Sequence, residues 1–286
     1  FFQSISLGFD HIKISSQNLI YSGIIGTLSL WIGLSCGLAI YSLPISYFLI
    51  FLSSTFLFYK NYHFLLKQWL RYKFILDKAY MIDFLKLQLK YAIGFIAGWV
   101  VFQLYTPAIF EYFGSQVAGA FGLTVGVIYL LVPFSSIFFN AYAPKITILI
   151  AQNSFEQARS MTLKTGLVGF FFYLLCSCSF IFLLIIIQSF PDLSRRILPF
   201  DTTLVLILSE AATYIYGVLG VYTRFHKIEV FYKLALIQIA IILFLVFFLL
   251  PKVSLFTFFS LIALLQWIIF LPIAFFFFYP YWKKNL

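Results

Sequence analysis

From Thr165 to Pro191 the chain carries no Asp, Glu, Lys or Arg, and runs of this kind recur along its length. About 20 apolar residues in a helix cross the hydrocarbon core of a bilayer, where the backbone must satisfy its own hydrogen bonds. Eight such spans fit the sequence, at roughly 19–41, 43–59, 91–111, 117–142, 165–189, 201–223, 231–250 and 255–279. A tight Ser42-Leu43-Pro44 turn joins the first two. Of the 286 residues, 63% are hydrophobic and 10% charged, which leaves too little polar surface to cover a core in water. The sequence therefore specifies an all-α integral membrane protein with eight transmembrane helices.

The net charge of +10 is distributed by position. When loops are assigned alternately, starting inside, the inner set holds Lys13, Lys145, Arg159, Lys164, Arg224, Lys227, Lys233, Lys283 and Lys284. It also holds every basic residue between positions 60 and 90, whereas Arg195, Arg196 and Lys252 fall outside. That asymmetry is the positive-inside pattern and puts both termini of this chain in the cytoplasm. It also removes nucleic acid as a partner, because topology accounts for the charges and no basic groove is left. The outer loops, Glu111 to Gln116, Phe190 to Phe200 and Pro251 to Val253, are too short for an extracytoplasmic catalytic or receptor domain. No nucleophile–base pair or His–Asp arrangement occurs in the chain, so no catalytic residue is assigned and the protein is not expected to be an enzyme. Cys36, Cys176 and Cys178 lie in apolar spans, the last two on diverging sides of one helix. His11, His63 and His226 stand singly, so neither metal nor cofactor is expected.

Residues 60–90 separate two spans from six. Lys60, Lys67, Arg71, Lys73, Lys78, Lys86 and Lys90 outweigh Asp77 and Asp83 there. Phe64, Leu65, Trp69, Leu70, Ile75, Leu76, Tyr80 and Phe84 approach the spacing of one helical face. A helix of this kind lies in the headgroup layer with its lysines toward anionic membrane lipids. A plain linker, positive because topology requires it, accounts for the same residues. The organisation is thus two helices in 1–59, a basic amphipathic cytoplasmic linker in 60–90, and six helices in 91–286.

Glu210 is the one acid deep inside a span, about 13 Å along its helix from Asp201 at 1.5 Å per residue. A carboxyl is costly in hydrocarbon, so it should face the bundle interior or water. Thr203, Glu210, Gly217 and Arg224 recur every seven residues, and Tyr214 stands one turn from Glu210. This polar, small-residue stripe is expected to line a cavity, with Glu210 in proton or cation coupling or in contact with a polar substrate. A hydrogen bond to a neighbouring helix is the alternative. Gln103 and Thr106 form a second polar patch beside Pro107 with Trp99, and Gln103 is the best of the uncharged candidates. Asn140, Gln188, Gln238 and Gln266 each place one polar group in a span, as interhelical hydrogen bonds do. Gly33 and Gly37, Gly94 and Gly98, and Gly122 and Gly126 form small-residue ridges suited to close helix packing. Pro107, Pro133 and Pro272 should bend their spans, as in helices that line transport cavities. Two basic clusters, one of Arg224, His226 and Lys227 and one of Lys145, Arg159 and Lys164, rim cytoplasmic mouths. Topology alone would place them there, and a lipid-linked pyrophosphate would be attracted to them.

A likeness to a known family rests on Ala92 to Phe182. A helix ending in Tyr105-Thr106-Pro107-Ala108-Ile109-Phe110 leads through a short outer turn into Val117-Ala118-Gly119-Ala120-Phe121-Gly122-Leu123. An Ala143-Pro144-Lys145 exit follows, then the polar segment Gln152-Asn153-Ser154-Phe155-Glu156-Gln157-Ala158-Arg159 before the next span. This order resembles the seventh and eighth helices and following loop of the Wzx-type O-antigen and polysaccharide flippases. Those belong to the multidrug/oligosaccharidyl-lipid/polysaccharide exporter superfamily, which includes the MATE-like transporters. The resemblance implies two lobes of about six helices around a central cavity, rocking between inward-open and outward-open states. On that plan residues 19–59 are the fifth and sixth helices, 60–90 the inter-lobe linker, and the later spans a second lobe. Four further helices are then expected upstream, in keeping with Phe1 in place of an initiator Met. The implied function is transfer of an undecaprenyl-pyrophosphate-linked oligosaccharide across the bacterial cytoplasmic (inner) membrane, for surface polysaccharide or lipopolysaccharide O-antigen synthesis. The polysaccharide assembly machinery is the implied protein partner. A drug/cation antiporter of the same superfamily is the first competitor. A membrane glycan polymerase or acyltransferase is the second, and it lacks a loop able to present the chemistry.

Overall fold

A computed structural model describes residues 12–71 and 78–283. Among them helices account for every regular element apart from short 3-10 and π turns, and eight helices are long and apolar enough to cross a membrane. The chain divides into two compact units, Phe1–Asp77 and Lys78–Leu286.

The first unit is a hairpin of α1 (Ile12–Ser35) and α2 (Ser42–Arg71). α1 stops because Gly37 takes a left-handed φ of 77°, with Leu38 N–H bonding Gly33 O at 3.0 Å and Gly37 N–H bonding Leu34 O at 3.1 Å. This is the terminating geometry in which glycine carries no side-chain penalty. A 3-10 turn, Ala39–Tyr41, leads into α2, where Pro44 sits in the first turn and removes a donor that has no helical partner. The two helices close on Gly26, whose bare face lies against Ile50 and whose carbonyl accepts from the Ser46 hydroxyl at 2.8 Å.

The second unit contains α3 (Lys78–Phe113), α4 (Ser115–Ala151), α5 (Phe155–Gln188), the short α6 (Pro191–Ser194), α7 (Phe200–Phe225), α8 (Phe231–Phe248), α9 (Leu255–Leu264) and α10 (Leu271–Lys283). Gly114, at φ 85°, is the single residue between α3 and α4. Asn153 and Lys227 hold left-handed backbones at φ 59° after α4 and α7, and each ends its helix with the same pair of reversed hydrogen bonds seen at Gly37. Ser254 starts α9 by accepting Thr257 N–H at 3.2 Å. α3 packs with α8 and α4 with α5, while α7 contacts α4, α5, α9 and α10 and so forms the centre of the unit. A core of Tyr105, Phe121, Ile128, Tyr173, Val246 and Phe258 fills the space around it.

The outer faces are apolar. Phe95, Phe171 and Phe276 are 70%, 67% and 75% exposed, and no more than 22% of the most apolar stretch of α5 is buried. In water such a surface would associate, whereas in a bilayer it is the solvated one. The chain is a multi-pass membrane protein.

Two features differ from the sequence-based expectation. The polar stretch from Pro144 to Lys164 is not a loop: α4 continues through Pro144 to Ala151, and α5 starts at Phe155. At 37 residues α4 is about 55 Å long against a hydrocarbon core of about 30 Å, so helix ends carry the polar residues of this stretch apart from Gln152, Asn153 and Ser154 in the turn. Of the basic stretch, residues 60–71 form the end of α2 and residues 78–90 the start of α3, while residues 72–77 lie outside the described residues, as do His11 and Lys284. Finally, nothing lies within 4 Å of a Cβ built at Gly94, Gly98, Gly122 or Gly126. Close approach occurs at Gly33 of the first ridge, where an added Cβ would lie 3.0 Å from Ser42 Oγ, and at the isolated Gly169, where it would meet the Tyr214 hydroxyl and lie 2.6 Å from Ser135 O. Spacing of small residues marks where helices can approach, and the packing of larger neighbours decides where they do.

Candidate functional site: a cavity around Glu210

α7 carries two kinds of face at mid-span. One is buried against α5, where the Tyr214 hydroxyl donates to Gly166 O at 2.9 Å and the Tyr173 hydroxyl donates back to Ile207 O at 2.6 Å. The two rings stack at 6.3 Å, so each helix supplies one donor and one carbonyl to the other. The other face, with Leu206, Ser209, Glu210, Thr213 and Tyr216, lines a cavity of about 450 Å³. α3 contributes Gly94, Gly98, Val101, Phe102 and Tyr105 to the walls, spaced as one helical face. α4 adds Tyr129 and Pro133, α8 adds Gln238, and the last span adds Gln266.

Gln266 reaches the cavity because its helix is locally widened. Pro272 has no N–H to give to the preceding turn. Ahead of it Leu265–Phe270 form a π turn, closed by the Leu271 N–H on Gln266 O. The turn is tied to α7 by the Trp267 indole N–H donating to Leu208 O at 2.9 Å and by the Ser209 hydroxyl donating to the Gln266 side-chain oxygen. Leu208 and Ser209 thus hold the last span in place, and the next residue, Glu210, opens into the cavity. Single-turn π bulges of this kind often stand at functional positions.

Glu210 is half-buried, its exposed part facing the cavity, and it is the one charged residue in the lining. The ion pairs among the described residues are Lys86–Asp83 and Arg224–Glu229, neither of which involves it. A carboxyl among Ser, Thr, Gln and Tyr groups, with aromatic walls and no lysine or arginine, is suited to hold a proton, a cation or a hydrogen-bonding ligand.

The other sequence-derived candidates are placed elsewhere. Tyr214 is buried on the α5 side of α7, within a hydrogen-bonded packing contact. Gln103, Thr106 and Trp99 are exposed on α3 beside the cavity-lining face, not on it. Arg224 stands at the end of α7, where its Nε donates to Glu229 at 2.8 Å and its guanidinium lies 5.6 Å from the Tyr91 ring and 5.7 Å from that of Phe95. Thr203, fully buried, donates to Pro199 O at 3.0 Å, and Gly217 is exposed. The seven-residue stripe therefore does not line one cavity. On a 3.6-residue helix a heptad drifts by about 20° per repeat, and three repeats are enough to move it from one neighbour to another. Ser209, Thr213 and Tyr105 have no sequence signal beyond their neighbourhood to Glu210 or Pro107, and Gln238 and Gln266 show one only as polar residues in apolar spans.

Tyr214→Phe, which removes one hydroxyl from the α5–α7 contact, is expected to lower stability by about 1 kcal/mol. Thermal unfolding in detergent measures the effect.

Comparison with protein-family models, with curated proteins and with solved structures finds no match to this chain.

Proposed function

We propose that the chain is part of a two-lobe, MATE-like flippase that moves an undecaprenyl-pyrophosphate-linked oligosaccharide across the bacterial cytoplasmic membrane for surface polysaccharide synthesis. The unit from Lys78 onward, with its six spans, is the six-helix lobe, and the α1–α2 hairpin belongs to the other. Glu210 at mid-span, open to a mainly apolar cavity that holds a few uncharged polar groups and no counter-charge, is the observation that carries a transport role. Ionisable groups are kept in membrane interiors chiefly where ions, protons or substrates pass. The glycan as cargo rests on the likeness of Ala92 to Phe182 to Wzx-type flippases. The cavity around Glu210 lies within one unit and serves the coupling proton or cation, and the glycan takes another path. Loss of surface polysaccharide in a deletion strain, restored by the intact gene, is the expected result. A strain with normal polysaccharide refutes the assignment.

One observation favours a second function, a drug/cation antiporter. A cavity of about 450 Å³ falls in the size range of small-ligand pockets, and its acid and aromatic rings suit an organic cation. Raised dye sensitivity with unaltered polysaccharide in the deletion strain decides for that function.

Both functions share one orientation, with the termini of this chain in the cytoplasm. Cysteines introduced at Gly114, Asp192 and Lys252 are expected to react with an impermeant maleimide added to whole cells, and one at Lys78 only after permeabilisation. The opposite pattern inverts the topology.

A further inference from the structure

α4 and α5 leave a groove of about 490 Å³ between their exposed faces. Its α5 wall is one helical face, on which Gln157, Ser160, Lys164 and Val168 follow at spacings of three and four. Its α4 wall carries Tyr142 and, one turn further from the α4–α5 turn, Phe138. Because that turn makes the two helices antiparallel, distance from it sorts the lining. Gln157 and Ser160 lie nearest, Lys164 and Tyr142 further in, Phe138 and Val168 deepest. Met161 and Thr165, with the Thr165 hydroxyl turned to Met161 O, complete the lining, so the hydrogen-bonding groups lie toward the turn and the deep end is apolar, where Phe138 is backed by the Phe172 ring at 5.1 Å.

Lys164 is the residue that needs explaining. It lies about 14 Å along α5 from Phe155, and the exposed residues around it on that helix, Leu163, Leu167 and Phe171, are large and apolar. No ion pair among the described residues includes it, and no carboxylate lines the groove, Glu156 standing outside the lining. An ammonium so placed on a lipid-facing wall is costly unless it reaches toward the headgroups or meets an opposite charge. A phosphodiester supplies that charge, Ser160, Gln157 and Tyr142 supply hydrogen bonds to phosphate and glycerol oxygens, and an acyl chain lies along Phe138 and Val168. We propose that this groove binds one anionic glycerophospholipid. The site is separate from the Glu210 cavity, so its failure leaves the transport function untouched, and failure of the transport function leaves this site untouched.

The test uses the full chain in nanodiscs of phosphatidylcholine containing a minor fraction of phosphatidylglycerol, with lipids that stay bound on release counted by native mass spectrometry. The intact protein is expected to retain phosphatidylglycerol about fivefold over phosphatidylcholine, the worth of one lysine near an anionic headgroup. Lys164→Gln should remove the preference and Lys164→Arg keep it. Val168→Trp, which fills the apolar end, should lower retention of both lipids. Lys145→Gln, an exposed charge on α4 outside the groove, should change neither. Equal retention of the two lipids by the intact protein, or a preference that survives Lys164→Gln or falls equally with Lys145→Gln, overturns the proposal. Displacement of the lipid by glycerol 3-phosphate at equal concentration also overturns it, because the site would then recognise a free phosphate.

Discussion

Glu210→Gln is expected to abolish most of the proposed transport while the protein still folds and inserts. Gln keeps the size and hydrogen-bonding atoms of the side chain and removes its ability to exchange a proton or hold a cation. The cavity supplies polar neighbours at Ser209, Thr213, Gln238 and Gln266, so the neutral amide is accommodated without a new desolvation cost. If occupancy of Glu210 drives the conformational cycle, its loss removes the coupling free energy between ion and substrate. Such couplings are typically about 5- to 150-fold in affinity, and a transport defect in that range is the expected outcome. Glu210→Asp, shorter by one methylene, should recover part of it. Surface polysaccharide in a complemented deletion strain, normalised to protein in the membrane, is the readout. Wild-type export with Gln at position 210 excludes the residue from coupling, and loss of the protein from the membrane shows that Glu210 serves packing instead.

How far the sequence shows this arrangement depends on the kind of interaction involved. The spans are legible because bilayer thickness sets a length and hydrocarbon forbids charge, both of which are local properties of the chain. Glu210 stands out for the same reason. The polar residues that share its cavity do not, since Gln266 reaches the lining through the π turn ahead of Pro272, and Ser209 matters only because that turn docks on α7. Neither fact is visible until two spans far apart in the chain are brought together. Gln103 shows the converse: polarity in an apolar span is a sound signal, but the helix face it occupies, beside the cavity lining, is set by the α3–α8 and α3–α4 packing. The fate of the glycine ridges has the same origin. Gly94 and Gly98 border the cavity instead of a helix, while the isolated Gly169 receives the Tyr214 hydroxyl.

Arg224→Met is expected to destabilise the protein more than any change in the cavity. Glu229 is the buried member of the pair, its side chain 3% exposed, and it holds both the Arg224 Nε at 2.8 Å and the Phe231 backbone N–H at 3.1 Å. The carboxylate therefore fixes the turn between α7 and α8, and the guanidinium that neutralises it is packed against the Tyr91 and Phe95 rings of α3. Removing the arginine leaves a buried charge with one backbone donor, a change that costs about 3–5 kcal/mol in buried pairs. The lower end is expected here, because the Arg224 side chain is 38% exposed and water screens part of the interaction. Glu229→Gln alone should cost less, since the amide is neutral and its oxygen still accepts from Phe231 N–H. The informative comparison is the double variant Arg224→Met with Glu229→Gln, which removes both charges and should recover most of the stability lost in Arg224→Met. Thermal midpoints of the three variants in one detergent measure this. A double variant no more stable than Arg224→Met alone would mean that the loss comes from arginine packing on the two rings and not from the stranded carboxylate.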